Sequence, residues 1–208
     1  MIARRTVWRG GLALGTTALL AACHHDWTLN PQDVSVRGHF PNLQFQMTNV
    51  ATGKIVTQAN FRGFVTLVYF GYTNCPDVCP LTLAEMVKII GLLGDDGPKL
   101  RFLFVTVDPE RDTAPILAKY LHLFGAPELV GLRGNATQLS HFAQSLHADY
   151  AVHPSANAAD YTVTHSAAVY VFNQQGKAEF ICAGLSAQHP DIAGITRDLR
   201  HVITTGAI

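Results

Sequence analysis

Two cysteines four residues apart, between two apolar segments, restrict the fold and the chemistry of this chain more than any other feature. Cys75 and Cys79 follow a continuous apolar run at residues 64–70 and precede apolar residues with helical spacing at 81–90. This order predicts a buried strand, a short loop that carries two thiols, and a helix, as at many sites in α/β proteins. Side chains at positions i and i+4 of a helical turn lie about 5–6 Å apart. The spacing therefore suits either a disulfide or two thiolates on one metal ion.

The remaining pattern predicts a single α/β domain with a mixed sheet flanked by helices. Further segments are predicted as a hairpin around residues 52–53, strands at 100–107 and 129–132, helices at 113–124 and 137–146, a weak strand at 150–152, a loop at 154–164, paired strands at 167–172 and 178–182, and a helix at 190–202. The order βαβ followed by ββα outlines a thioredoxin-like fold, with the two thiols after its first core strand.

The first residues predict an export signal. Residues 1–22 combine three arginines, a short apolar stretch and small residues before a cysteine, which is typical of a signal peptide of the lipoprotein type. In this interpretation Cys23 is lipidated, residues 23–40 are a tether, and residues 41–208 are the folded domain. The alternative is an ordinary signal peptide followed by an incidental Cys23. Either way the domain is expected in the cell envelope, facing the periplasm, and a lipid anchor would attach it to the membrane.

Charge and cysteine count exclude two classes of protein. Three of the 15 basic residues lie within residues 1–22, so the rest of the chain carries 12 basic against 15 acidic residues. This mildly acidic balance argues against a nucleic-acid partner. Beyond the predicted signal and Cys23 the cysteines are Cys75, Cys79 and Cys182. An odd count does not suit a disulfide-stapled framework, and Cys182, in an apolar segment, is expected to be a buried thiol.

The thiol pair itself permits several chemistries. A helix start stabilises negative charge, so a lowered cysteine pKa is expected there. The C-x-x-x-C spacing of Cys75 and Cys79 is one residue longer than the redox C-x-x-C motif, and soft thiolates favour Cu(I), with zinc also possible. A structural disulfide or two buried thiols remain the alternatives. His165 stands before a predicted strand and would complete a two-sulfur, one-nitrogen set, although its position alone favours a turn histidine bonded to the backbone.

Three segments together carry a family resemblance. Residues 71–80 (GYTNCPDVCP), 107–113 (VDPERDT) and 165–167 (HSA) occur in an order and spacing similar to those of the Sco/SenC family of copper-binding proteins. The similarity extends over roughly residues 38–204. It implies a thioredoxin-like, membrane-tethered protein that delivers copper to the CuA centre of cytochrome c oxidase subunit II, or keeps the cysteines of that centre reduced.

The resemblance also implies a ligand set for Cu(I) and Cu(II), namely Cys75, Cys79 and His165. Asp108, which ends a predicted strand at the same sheet edge, becomes a neighbour of the site, with a turn-forming role before proline as the alternative. Asp77, between the thiols, is a further candidate neighbour. The family usually has an acidic residue before the histidine, whereas this chain has Thr164, a neutral hydrogen-bonding group.

The sequence thus predicts a metallochaperone that is not an enzyme in that role. Its expected partners are the CuA domain and, in addition, other periplasmic copper chaperones or thiol reductants. The alternative is an extracytoplasmic thiol–disulfide oxidoreductase, in which one of Cys75 and Cys79 attacks a target disulfide and the other resolves it. In that case His165 would be dispensable. Asp112 and Thr113 are interpreted only as helix caps.

Overall fold

A computed structural model of the protein describes residues 27–156 and 161–208. In chain order its elements are β1 (Asp33–Ser35), β2 (Gln46–Asn49), β3 (Ile55–Thr57), β4 (Val65–Gly71), α1 (Val78–Leu93), β5 (Leu100–Thr106), α2 (Ala114–His122), β6 (Leu129–Arg133), α3 (Ala136–Ser145), β7 (Tyr150–His153), β8 (Thr162–His165), β9 (Val169–Phe172), β10 (Ala178–Cys182) and α4 (Ile192–Thr205). The predicted signal peptide and Cys23 lie outside the described residues. In the described ranges, none of the helices has the length and apolar character needed to cross a membrane.

In these ranges eight strands form one mixed sheet in the order β1-β10-β9-β4-β5-β6-β2-β3. The central strand β4 runs parallel to β5 and antiparallel to β9. Every residue of β4 is buried, as expected for a continuous apolar strand that is covered on both faces. Its side chains alternate, so that Tyr69 reaches Cys79 at the start of α1 while Phe70 packs on Phe142 of α3.

The parallel pairing of β4 and β5 positions the site. The two strands are in register from Val65 opposite Leu100 to Gly71 opposite Thr106. The backbone N–H of Val107 then donates to the carbonyl oxygen of Gly71 at 2.9 Å, which holds the two strand ends together. The loop with the two thiols and the loop that carries Asp108 therefore leave the sheet side by side, at the carboxyl edge where α/β proteins place their sites.

The predicted α/β class with a mixed, thioredoxin-like sheet is confirmed. Two segments differ from the sequence interpretation. Residues 33–35, which the sequence assigns to the tether, pair antiparallel with β10 as an edge strand, and residues 162–164 of the predicted loop, together with His165, pair with β7. Trp27 also stacks on His201 of α4, with ring centroids 3.7 Å apart. Within the described residues, the fold therefore includes at least residues 27–40 of the chain.

Candidate metal centre

Three side chains with soft or borderline donor atoms converge at the carboxyl edge of β4. Cys75 lies in the loop after the strand, Cys79 in the first turn of α1, and His165 at the end of β8. The Nε2 atom of His165 is 3.8 Å from the Cys75 sulfur and 3.3 Å from the Cys79 sulfur. All three donor atoms lie within 4.8 Å of one another. Across residues 27–156 and 161–208, no other group of three or more histidine, cysteine or acidic side chains gathers as closely.

The imidazole of His165 is oriented as a metal ligand. Its Nδ1 atom is 3.0 Å from the carbonyl oxygen of Ser166, which can only accept a hydrogen bond. The proton therefore resides on Nδ1, and Nε2 directs its lone pair toward the two sulfurs. The edges of two tyrosine rings, Tyr69 and Tyr72, meet the imidazole at 86° and fix its plane. Burial lowers the pKa of His165, which favours the neutral, ligating form.

The two thiols lie in different environments. Cys75 is half-exposed, whereas Cys79 is fully buried and accepts a hydrogen bond from the Tyr69 hydroxyl at 3.5 Å. Burial raises the pKa of Cys79 to about 12, although that hydrogen bond acts in the opposite direction. The lowered pKa that the sequence predicts for a thiol at a helix start is therefore wrong for Cys79, because desolvation outweighs the helix dipole. Its proton must leave before the sulfur can bind a metal.

Gly71, the last residue of β4, leaves room for the Cys79 sulfur. A Cβ atom at this position would lie 2.9 Å from that sulfur and 2.8 Å from the nearest ring carbon of Phe104. Real Cβ atoms do not approach other heavy atoms so closely. The glycine is thus required by the space behind the thiol, a feature that the sequence analysis did not assign to it.

Asp112, interpreted from the sequence as a helix cap, instead joins the two loops of the site. It is fully buried, and its carboxylate accepts hydrogen bonds from the backbone N–H and the hydroxyl of Thr73 and from the hydroxyl of Thr106. Thr113 occupies the N-cap position of α2 without a side-chain bond to the helix. The only sequence signal for this role was an acidic residue in the 107–113 segment, and a cap accounts for such a residue equally well.

Asp108 lies close to the centre but points elsewhere. Its carboxylate accepts hydrogen bonds from the Arg111 guanidinium and the Tyr161 hydroxyl. The guanidinium carbon of Arg111 lies 3.7 Å above the ring of Tyr161 and 5.9 Å from the ring centre of Tyr72. Tyr72 in turn packs on His165. A series of contacts through Arg111 and Tyr72 therefore connects Asp108 with the imidazole.

The other candidate neighbours have no contact with the donor atoms. Asp77 is exposed at the N-cap of α1 and makes no capping hydrogen bond with its side chain. The hydroxyl of Thr164 is 3.0 Å from Nε2 of His153, on the neighbouring strand. Cys182 is buried on β10, where desolvation raises its pKa well above the usual range. It has the character of the buried thiol predicted from the sequence.

The donor set fits copper on chemical grounds. Two sulfurs and one neutral imidazole nitrogen suit Cu(I), and the nitrogen adds a donor that Cu(II) accepts; zinc takes the same ligand types. The half-exposed Cys75 gives an incoming ligand access to the site, while the buried Cys79 and the fixed His165 hold the other two donors in place.

Comparison with known proteins identifies relatives of this chain. The SCO1/SenC family model matches residues 39–203. The mitochondrial SCO2 homolog of Bos taurus is 40% identical over 126 residues, which cover 60% of this chain and 47% of that protein. The matched region thus spans about half the length of this curated relative.

Solved structures of similar proteins contain copper. ScoI of Bradyrhizobium japonicum with copper bound is 33% identical, has a TM-score of 0.66, and is matched over 77% of this chain and 98% of its own. ScoI of Arabidopsis thaliana with copper bound is 29% identical, has a TM-score of 0.68, and is matched over 78% of this chain and 98% of its own.

Proposed function

Because the chain belongs to the SCO1/SenC family, we propose that it is a copper chaperone for the CuA centre of cytochrome c oxidase subunit II. Copper is its cargo, held by Cys75, Cys79 and His165. The observation that carries the proposal is the position of the His165 Nε2 atom, 3.8 Å and 3.3 Å from the two sulfurs with its lone pair directed at them. The two ScoI structures with copper bound support the choice of metal.

The asymmetry of the two cysteines fits a protein that releases its cargo. Cys75 is half-exposed and lies on a loop, so a cysteine of the target can replace it by ligand exchange. Cys79 and His165 then retain the ion until the target supplies a second ligand. Both thiols lose their protons when copper binds. Because the pKa of Cys79 is raised, only a strongly bound metal ion such as Cu(I) displaces the proton from this sulfur.

The geometry favours this function over the thiol–disulfide oxidoreductase. An oxidoreductase needs two cysteines and a reactive thiolate, but it does not need a histidine whose proton is fixed on the far nitrogen. The raised pKa of Cys79 also disfavours a thiolate at that position near neutral pH. Maintenance of the target's thiols remains a role that the same two sulfurs can perform in the copper-free state.

Copper counting on the reduced full-length protein tests the proposal. We expect one copper per chain in the wild type, and loss of tight binding in Cys75→Ala and Cys79→Ala. Cys182→Ala is the matched control, since it removes a thiol that lies outside the centre. His165→Ala should weaken Cu(II) far more than Cu(I), because two thiolates can hold Cu(I) while Cu(II) prefers further nitrogen or oxygen donors. Unchanged stoichiometric copper in either of the first two variants would overturn the assignment.

The predicted signal peptide supports a proposal about where in the cell the protein acts. We propose that Cys23 is lipidated and holds the domain at the membrane of the cell envelope, facing the periplasm, where other copper chaperones or thiol reductants can reach it. The support is the Leu20-Ala21-Ala22-Cys23 segment. Stable attachment needs more than one acyl chain. Intact mass of the wild type should show a diacyl or triacyl addition on Cys23, and an unmodified mature N-terminus would refute the anchor.

A further inference from the structure

One buried side chain contacts two of the three donor residues without being a ligand. The hydroxyl of Tyr69 lies 3.5 Å from the Cys79 sulfur, and its ring meets the His165 imidazole edge-on, with ring centroids 5.8 Å apart. Tyr69 has no exposed surface, since it lies in the middle of the core strand β4 between the rings of Phe102 and Phe104. Its position is therefore set by the sheet and does not depend on the loop that carries Cys75.

The hydroxyl of Tyr69 donates to the Cys79 sulfur in the dithiol state, in which both cysteines are free. A buried O–H group requires an acceptor, and the Cys79 sulfur is the acceptor that the structure places within reach. The bond is thus a feature of the dithiol form, and a metal-bound thiolate sulfur accepts such a bond more strongly still, because it carries negative charge.

Hydrogen bonds to a ligating sulfur also change its electronic character. They withdraw electron density from the thiolate, which weakens its donation to an oxidised metal and favours the reduced one; the same lever tunes blue-copper and iron–sulfur sites. The edge contact between Tyr69 and His165 keeps the imidazole plane aligned with the sulfur that the hydroxyl touches. One residue thus constrains both the electronics of Cys79 and the direction of the nitrogen ligand.

We propose that Tyr69 is a positioning residue of this centre, which biases the cysteine pair toward the dithiol state and biases bound copper toward Cu(I). The copper half rests on the proposed function, whereas the dithiol half does not. The hydrogen bond from Tyr69 accounts for both effects: it is made to the Cys79 sulfur of the dithiol form, and a sulfur bound to Cu(I) carries more negative charge than one bound to Cu(II).

The test compares two variants that each remove one buried hydroxyl. Tyr69→Phe deletes the donor to sulfur and keeps the ring. Tyr120→Phe is the matched control: the Tyr120 ring packs on Phe104, which also contacts Tyr69, but within the described residues its buried hydroxyl has no hydrogen-bond partner. The comparison separates the effect of removing a buried hydroxyl near the site from the effect of removing the hydrogen bond to the Cys79 sulfur.

The first measurement needs no copper. The full-length protein is equilibrated with glutathione, so that two glutathione thiols supply two electrons and two protons, one glutathione disulfide forms, and the Cys75–Cys79 disulfide becomes two thiols. We expect Tyr69→Phe to shift the dithiol-to-disulfide ratio toward the disulfide by about two- to tenfold, the range for one lost hydrogen bond. Tyr120→Phe should leave the ratio unchanged. Equal ratios in the wild type and Tyr69→Phe, or equal shifts in both variants, would overturn the proposal.

The second measurement uses copper. In Tyr69→Phe the sulfur-to-Cu(II) charge-transfer absorption should move to lower energy, and the affinity for Cu(II) relative to Cu(I) should rise by a similar factor. An unshifted band would refute the copper half. If the wild type binds no copper, the proposed function fails, while the glutathione equilibrium still decides the role of Tyr69.

If Tyr69→Phe does not fold, 3-fluorotyrosine at position 69 replaces it as the test. This residue keeps the hydroxyl and makes it a better hydrogen-bond donor, so the glutathione equilibrium should shift toward the dithiol relative to the wild type. No shift would refute the proposal.

Discussion

At position 71 a side chain larger than hydrogen would enter the space that the Cys79 sulfur and the Phe104 ring fill. The 2.9 Å and 2.8 Å separations leave no room for a methyl group unless one of these neighbours moves. Both are part of the packed core, where small shifts are costly. The placement of one donor atom in the centre therefore depends on a residue without a side chain, the last residue of β4.

Gly71→Ala is accordingly expected to lower both stability and copper affinity. Overpacking of this kind typically costs about 1–3 kcal/mol, and displacement of the Cys79 sulfur should weaken Cu(I) binding. Gly91→Ala is the control, because a Cβ atom at that position on α1 meets nothing within 4 Å, and alanine favours a helix by about 0.5–1 kcal/mol. Chemical denaturation and a competitive Cu(I) titration measure the two effects. Wild-type values for both quantities in Gly71→Ala would contradict the spatial argument.

At the scale of single residues, the sequence predicts local chemistry better than contacts across the chain. The pairing of Cys75 and Cys79 follows from a spacing of four, which a helical turn converts directly into proximity. His165 could not be selected from ten histidines by position alone, and only the family resemblance selected it. Asp112 was interpreted as a cap because its bonds to Thr73 span 39 positions of the chain, and no local pattern reports such a contact.

Two loops, one after β4 and one after β5, form the walls of the centre, and Asp112 connects them. Its carboxylate accepts from Thr73 in the first loop and from Thr106 at the end of β5. The loop that holds Cys75 is thus fastened to the sheet on one side by Asp112 and on the other by the start of α1. A fixed loop keeps Cys75 near Cys79 and His165 in the absence of metal.

Asp112→Ala should therefore loosen the Cys75 loop as well as destabilise the domain. Three donors, of which the Thr106 hydroxyl is fully buried and the two of Thr73 are partly buried, would lose their acceptor, which we expect to cost about 2–4 kcal/mol in unfolding free energy. Alkylation of Cys75 in the reduced protein should become faster, because the loop opens more often. Asp77→Ala, at an exposed site with no side-chain hydrogen bond, serves as the control and should change stability by less than about 0.5 kcal/mol. If the two variants were equally stable and equally reactive, Asp112 would not join the loops.

The sequence predicts the helices and strands that have an apolar pattern of their own, and it misses the strands that form only by pairing with another strand. Strands β4 and β5 read as continuous apolar runs, and α1 has a helical pattern, so their existence follows from the sequence. Strand β1, with the sequence Asp-Val-Ser, has no such pattern and forms because β10 offers a free edge. Strand β8 is likewise short and polar, and its pairing with β7 brings His165 to the centre.

Over the whole molecule, the described N-terminal segment is part of the fold. Trp27 stacks on His201 and donates a hydrogen bond to Asp198 of α4, and the backbone N–H of Asn30 donates to the same carboxylate. Asp33 on β1 then pairs in register with Cys182 on β10. If Cys23 carries the proposed anchor, few residues separate it from this packed segment, so the domain would lie close to the membrane.

This packing buries a carboxylate that has no hydrogen-bond partner among the described residues. Both oxygens of Asp33 are buried, and desolvation, together with the nearby charges of Asp198 and Asp191, raises its pKa to about 7. The buried thiol of Cys182 lies opposite it and supplies no positive charge, and Arg197, the basic residue nearest in the chain to Asp198, binds that carboxylate. Asp33 is therefore held in its neutral form when the protein is folded in mildly acidic solution.

The raised pKa predicts a definite dependence of stability on pH. Between the ordinary pKa of 3.8 and about 7, the folded protein keeps the proton of Asp33 and the unfolded chain does not. The stability that this proton provides is fully present below pH 4 and is lost as the pH rises through 7.

Asp33→Asn removes the titrating group with little change in shape. We expect the variant to gain stability over the wild type as the pH rises from 4 to 8, by about 1–3 kcal/mol at pH 8, the range for a buried unsatisfied group. Asp95→Asn, an exposed carboxylate, is the control, with an expected change below about 0.5 kcal/mol at either pH. Denaturant unfolding at pH 4, 6 and 8 measures the difference. A constant difference between Asp33→Asn and the wild type across this range would show that Asp33 ionises equally in the folded and unfolded chains.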